Sequence, residues 1–324
     1  MKILSANHSS LPRIGEDNKD QRLRKAYSDL ERSKIDMGQF RQIENETIDE
    51  LVSIQREQEI DILTDGLVRW YDPVSHLARN LSGFEINGLL RYFDTNFYYR
   101  QPIAGNIIST GQGQLADEIR YLKRLHNQSV KAVLLGPYSF AKMTLNSTGL
   151  EFGEYALKIA GILNKEIINF VKAGADYIQI DEPCFVREPG DYKYFSSLIA
   201  AACENISGSV TILSFYFGDC GKIINRLNEI PVDMIGFDFT YSPNLLERLS
   251  SDGFSKPLAF GVIDGRNTRL ESADAIAKIL EKPLSKMNFE SCLITSSCGL
   301  EFLPRQYAIK KLRAISKTAK LLNG

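Results

Sequence analysis

The sequence predicts a (β/α)8 barrel, the TIM-barrel form of α/β architecture, with residues 1–324 as a single domain. Three observations carry this. Short β-branched apolar runs recur eight times, stretches of helical period separate them, and most runs end in Asp, Glu, Ser, Gly or Pro. The runs are 3–7, 62–65, 132–136, 177–181, 211–216, 234–239, 258–263 and 293–297. Several are apolar almost throughout, as strands covered on both faces should be.

Taken in chain order, the first run leads into residues 12–60, a long charged stretch that reads as helix, turn and helix and predicts an N-terminal helical extension. The second run closes on Thr64-Asp65-Gly66. Residues 84–115 break the repeat; they hold Tyr92, Phe93, Phe97, Tyr98 and Tyr99 and predict an arm inserted beside the barrel mouth. These aromatics fit either a partner surface or packing of the arm against the barrel. The third run ends at Gly136-Pro137, and 153–173 follows with Tyr155, Ile159, Ile162, Leu163, Ile167 and Val171 on one helical stripe. Later runs end at Asp181-Glu182-Pro183, Asp238, Asp264 and Ser297-Cys298. Helices are expected over 273–281 and 306–322, the last with Leu312, Ile315, Ala319 and Leu322 inward and lysines outward. No internal repeat, low-complexity tract or domain linker interrupts the pattern. In a parallel barrel the carboxyl ends of the strands share one mouth, so these terminal residues predict an acid-lined site there. Taken singly, each is also what a turn or helix cap requires.

With 39 basic and 40 acidic residues, net charge −1, the chain has no field for collecting nucleic acid or anionic membrane. Cys184, Cys203, Cys220, Cys292 and Cys298 are odd in number and widely spaced, which argues against a disulfide framework and for a reducing compartment. The polar amino terminus and the lack of any apolar run near the roughly 18 residues of a spanning helix predict a cytoplasmic protein. With only His8, His76 and His126, no His-rich metal set is available. His8 falls at the mouth, and the other two lie in helical contexts.

The stretch Ala175-Asp-Tyr-Ile-Gln-Ile-Asp-Glu-Pro183, with Leu135-Gly-Pro137 before it and Ser296-Ser-Cys-Gly299 after it, resembles the barrel signature of cobalamin-independent methionine synthase. That family joins two related barrels: one binds zinc and activates homocysteine, and a degenerate N-terminal one helps hold polyglutamylated methyltetrahydrofolate. Asn7-His8, Leu11-Pro-Arg-Ile-Gly15, Trp70-Tyr-Asp72, Phe93-Asp-Thr-Asn96 and Gly261-Val-Ile-Asp-Gly-Arg-Asn267 resemble the N-terminal barrel in particular. The order and spacing of the three signature motifs hold across nearly the whole chain.

The resemblance also marks a departure. The family's zinc ligands fall on Ser214, Tyr216, Asp238 and Cys298, and two of these four are poor ligands, so zinc is not expected in this chain. The glutamate that grips the homocysteine amine falls on Leu67, and the proposed proton-relay histidine on Arg266. What the resemblance implies is binding: a methyltetrahydropterin or folate-type donor met by Asp181 and Glu182, which equally fit a role in fixing the barrel rim. Its glutamate tail would be met by Arg13, Arg22, Arg24, Lys25 and Arg91, with Lys19 in the same basic stretch. The sulfur chemistry would take place on a separate zinc-bearing barrel as partner. The alternative is an independent methyltransferase that moves a corrinoid- or pterin-bound methyl group to another acceptor, with Asp181, Glu182, Asp238 and Cys298 as candidates and Cys298 as a possible thiolate; a small buried residue is the blander reading of that cysteine. Porphyrin-decarboxylating barrels share the architecture but need cations where this chain places acids.

Overall fold

A computed structural model describes every residue except Pro243 and Gly253, and side chains are described for all the others but Asn18, Lys19 and Ile107. The strands in chain order are β1 (Lys2–Ser5), β2 (Ile62–Leu63), β3 (Ser82–Arg91), β4 (Tyr98–Ser109), β5 (Ser129–Leu135), β6 (Leu145–Asn146), β7 (Tyr177–Asp181), β8 (Val210–Phe215), β9 (Met234–Asp238), β10 (Leu258–Ile263) and β11 (Ser291–Ser296). The helices are α1 (Arg22–Glu31), α2 (Met37–Glu57), α3 (Pro73–Arg79), α4 (Gln114–Leu125), α5 (Pro137–Met143), α6 (Phe152–Lys172), α7 (Pro183–Arg187), α8 (Tyr192–Ala202), α9 (Ile224–Leu227), α10 (Leu245–Asp252), α11 (Ala273–Leu284) and α12 (Arg305–Asn323).

Eight strands form one parallel sheet in the order β1-β11-β10-β9-β8-β7-β5-β2, and a parallel bridge between Ala6 and Ile62 joins its two edges. The sheet is therefore a barrel, and all eight predicted runs are its staves. Ala6, Ile62, Ile212, Met234, Ala259 and Leu293 fill one interior cluster, while the larger core lies between the strands and the helices. β2 stops sooner than its apolar run suggests. The Gln55 side chain takes over the backbone of Thr64, accepting from its N–H at 3.1 Å and donating to its carbonyl at 2.8 Å.

The charged stretch 12–60 lies between β1 and β2 and carries the predicted helices of the N-terminal extension, which form the first crossover. α2 starts at a capping box, in which Asp36 accepts from the Gln39 backbone and the Gln39 side chain accepts from Asp36 N–H. It buries Phe40, Ile48, Leu51 and Val52. The predicted arm is a hairpin of β3 and β4 extended by β6. Its aromatics divide. Tyr92 and Tyr99 are buried and Phe93 is half-buried, whereas Phe97 and Tyr98 are exposed.

Two helical details differ from expectation. On α6 the end of the buried stripe is Phe170, and Val171 is only half-buried. On α12 the lysines are not all outward. Lys311 is fully buried, its ammonium 2.8 Å from both carboxylate oxygens of Glu271 and bonded to the Arg269 carbonyl. Periodicity cannot reveal this, because a charge is accepted inside only where a specific partner waits. Among the described residues no helix is long and apolar enough to cross a membrane.

Candidate functional site at the barrel mouth

The two strongest sequence motifs explain each other. Glu182, just beyond β7, accepts from the backbone N–H groups of Tyr138 (3.0 Å) and Ser139 (2.8 Å) and from the Ser139 hydroxyl (2.6 Å). These are donors of the first turn of α5, which would otherwise lack partners. Gly136 makes the approach possible, since any side chain there would overlap the Glu182 carboxylate. Glu182 thus ties the ends of β5 and β7 together. Burial pushes its carboxyl up to about 8, against three hydrogen bonds that favour the carboxylate.

Asp181 points the other way, into a cavity of about 1190 Å³ counted with its open mouth. Behind it runs a buried polar column. Gln179 donates to Asp181 at 2.8 Å and accepts from the Lys131 ammonium at 2.6 Å. His8 sits within reach of Ser9 Oγ (3.0 Å) and Ser214 Oγ (3.3 Å). Burial raises the Asp181 carboxyl to about 7 and lowers the Lys131 ammonium to about 7, each partly opposed by the other's charge. It also holds His8 well below its usual range, with Lys131 adding to the effect.

Glu301, in the loop after β11, is a further acid of the cavity beside Asp72 and Asp181, and the sequence reading does not single it out. One of its carboxylate oxygens, Oε2, is buried without a hydrogen-bond partner among the described residues. Burial lifts its carboxyl to about 7, and Arg13 pulls in the opposite direction. Gly299 again marks a close approach. A side chain there would overlap Ser10 Oγ and Glu301 Oε2 and stand 3.0 Å from Ser9 Oγ. A signal existed in the sequence: Glu301 is the first acid after the Ser296-Ser-Cys-Gly299 motif at a strand end. Lys131 and Gln179 were likewise legible as polar residues within otherwise apolar strands.

The four positions aligned with zinc ligands are committed elsewhere. Ser214 faces His8, and Tyr216 pairs hydroxyl to hydroxyl with Tyr92 of the arm at 2.8 Å. Asp238 closes a turn, accepting from the N–H groups of Phe217 (3.3 Å), Thr240 (2.9 Å) and Tyr241 (3.2 Å) and from the Thr240 hydroxyl (2.6 Å). The Cys298 thiol is buried and pushed well above its ordinary range, first by burial and then by Asp238, so a reactive thiolate is not what this setting favours. A hydroxyl, a phenol, a turn-closing carboxylate and a protonated thiol do not fit zinc. Among the described residues no cluster of three or more His, Cys, Asp or Glu could hold a metal ion.

Leu67 lines the cavity and has a left-handed backbone (φ 51°), as do Phe93 (φ 52°) and Phe217 (φ 62°), whose rings meet at 5.6 Å. Such conformations are unfavourable for bulky residues and persist only where packing enforces them. Arg266 lies over Tyr241 at 4.3 Å and Phe217 at 5.3 Å. His76 stacks on Trp70 at 4.7 Å and meets Glu118 at 3.0 Å, a packing role.

The basic residues expected to meet an anionic tail are spread over three elements. Arg13 lines the cavity and bonds the carbonyls of Trp70 and Tyr71. Arg22 is drawn onto α2 by Glu50 at 2.7 Å, while Arg24 and Lys25 are exposed on α1. Arg91 folds back on the Thr95 carbonyl at 2.6 Å. The Lys19 side chain lies outside the described residues.

Fold and mouth together define a (β/α)8-barrel protein whose cavity lies where the strands end. Comparison with known proteins places it further. The N-terminal domain of cobalamin-independent synthase matches residues 75–288. A methionine synthase from Saccharolobus solfataricus is 31% identical over 267 residues, 81% of this chain and 79% of that protein. One from Sulfolobus acidocaldarius is 28% identical over 283 residues, 86% and 82% of the two. The structure of a B12-independent methionine synthase from Shewanella sp. W3-18-1, in complex with selenomethionine, superposes with a TM-score of 0.81 at 20% identity, covering 98% of this chain and 97% of that one. The chain belongs to the cobalamin-independent methionine synthase family, and the family model it matches is that of the N-terminal domain.

Proposed function

We propose that this chain is a stand-alone counterpart of the family's N-terminal barrel. It holds a methyltetrahydropterin or folate-type methyl donor at its mouth and pairs with a separate zinc-bearing barrel, on which homocysteine is methylated. The observation that carries this reading is the coordinated commitment of Ser214, Tyr216 and Asp238 to internal hydrogen bonds, beside a cavity that stays open. Independent transfer through Cys298 would need a thiolate, which burial opposes. Trp70, Tyr71, Tyr98 and Phe302 give the cavity aromatic walls suited to a flat heterocycle. Arg13 on the wall, Arg24 and Lys25 on α1 and Arg91 on the arm supply cations for a string of carboxylates. The exposed Phe97 and Tyr98 offer the partner an aromatic anchor.

The test is reconstitution from purified chains with homocysteine and a panel of methyl donors. Methionine should form only when a zinc-bearing barrel is present, and faster when this chain is added. Replacing both Phe97 and Tyr98 by serine should abolish the stimulation. Methionine formed by this chain alone would overturn the proposal, as would a zinc barrel indifferent to its addition.

A further inference from the structure

A second hollow lies on the flank of the barrel, where α2, α3 and α4 leave a cleft of about 1530 Å³ counted with its open mouth. It shares only Tyr71 with the mouth cavity, and, Tyr71 apart, the donor-binding reading uses none of its side chains. The acids that line it are all spent. Glu44 is held by Arg41 at 2.7 Å, Glu118 by His76 at 3.0 Å and the Trp70 indole at 2.9 Å, and Asp117 by Arg120. Asp49, beside the cleft, takes the Tyr121 hydroxyl at 2.7 Å. Three arginines are left over. Arg69, Arg79 and Arg124 line the cleft and have no ion-pair partner among the described residues. Arg69 is half-buried and held in place by Asn45 Oδ1, and it favours the ionised forms of Glu44 and Glu118 without pairing to either. Arg69 and Arg124 lie over the same Tyr121 ring, 5.2 and 6.0 Å from its centre. Two like charges gathered on one ring repel, and a multiply charged oxyanion between them would replace that repulsion with charge-assisted hydrogen bonds. Another part of the lining is apolar. Tyr27 and Phe40 meet edge to face at 4.9 Å, and Met37 and Tyr71 are large side chains left exposed.

We propose that this cleft binds a phosphate-bearing aromatic compound of the nucleotide class, its phosphates held by Arg69, Arg79 and Arg124 and its ring set against Tyr27, Met37 and Tyr71. Guanidinium forks fit phosphate oxygens two at a time, so three of them suit a diphosphate better than a single carboxylate. The ring covers Met37 and Tyr71, which otherwise face water. A string of carboxylates satisfies only half of this lining, because it brings no flat apolar body to the tyrosine side. The site lies outside the barrel mouth and stands or falls without the methyl donor or any partner barrel.

The experiment is calorimetric titration of the full chain at pH 8 and low salt, without added metal, using four probes: adenosine diphosphate, inorganic pyrophosphate, adenosine and tri-γ-glutamate. Adenosine diphosphate should bind tightest, pyrophosphate about 10-fold more weakly, and adenosine and triglutamate more weakly again. Arg79 and Arg124 are exposed, so their variants should fold. Arg79→Gln and Arg124→Gln should each weaken adenosine diphosphate about 10-fold, the range expected of charge-assisted hydrogen bonds. Lys310→Gln, which removes a charge from α12 outside the cleft, should leave it unchanged. Met37→Ser should weaken the nucleotide and leave pyrophosphate as it was. Adenosine diphosphate that fails to bind, or that binds the Arg124→Gln protein as tightly as the parent, would overturn the site. Triglutamate binding as tightly as the nucleotide would overturn the ligand class, and pyrophosphate doing so would overturn the role of the ring.

Discussion

Replacing Glu301 by glutamine should make the protein more stable at alkaline pH, and the size of the gain follows from the site. In the fold this carboxyl titrates at about 7, against an ordinary 4.5, because burial disfavours the charged form. A folded value above the unfolded one means that the group's stabilising contribution is complete below pH 4.5 and is lost as pH rises through 7. A tenfold change in a proton equilibrium is worth about 1.4 kcal/mol, so ionising Glu301 in place costs on the order of 3 kcal/mol at pH 8. Glutamine keeps the shape and never ionises. Asp65, Asp181 and Glu182, which burial also raises, titrate in both proteins and cancel from the difference, apart from the relief Asp181 gains on losing an acidic neighbour. Urea unfolding of both proteins at pH 4.5 and pH 8 reads the effect directly. The two midpoints should be close at the lower pH, and the variant should lead by about 3 kcal/mol at the higher one. A variant that is less stable at pH 8, or a difference that does not change with pH, would refute the claim that an uncompensated acid sits in this cavity.

Glu182→Ala removes the acceptor for three hydrogen bonds and leaves the first turn of α5 without partners, a loss of about 2–4 kcal/mol in urea unfolding. Lys311→Met strands the half-buried Glu271 beneath α12 and should cost about 3 kcal/mol by the same measurement. The Cys298 thiol should resist iodoacetamide at pH 8 in the folded protein and react fully in urea, as mass spectrometry of the labelled peptide would read; rapid native labelling would contradict its burial. Tyr216→Phe severs the hydroxyl contact that fastens the arm to β8, and should cost about 1 kcal/mol and raise hydrogen exchange at Tyr92.

The strands were legible because each is a short apolar run, and a barrel needs little more than eight of these with helices between them. The mouth was legible in outline for the same reason, since a strand's last residue faces the same opening wherever it sits in the chain. Roles within the mouth were not. Asp181 and Glu182 are neighbours in sequence, yet one lines the cavity and the other braces α5, because successive side chains leave a strand on opposite faces. Glu301 stands in a loop, where an acid is ordinarily solvated, so its burial is not legible from its neighbours in the chain.

The sequence by itself determined the barrel, its order of elements and its kinship, all of which rest on periodicity and on motifs local in the chain. Only the tertiary structure decided which charges are compensated. Lys311 finds Glu271 across 40 residues, and Lys131 reaches Asp181 through Gln179, whereas Glu301 Oε2 finds no hydrogen-bond partner among the described residues. Whether a buried charge has a partner depends on distances in space between residues far apart along the chain, and no local pattern of residues encodes those distances.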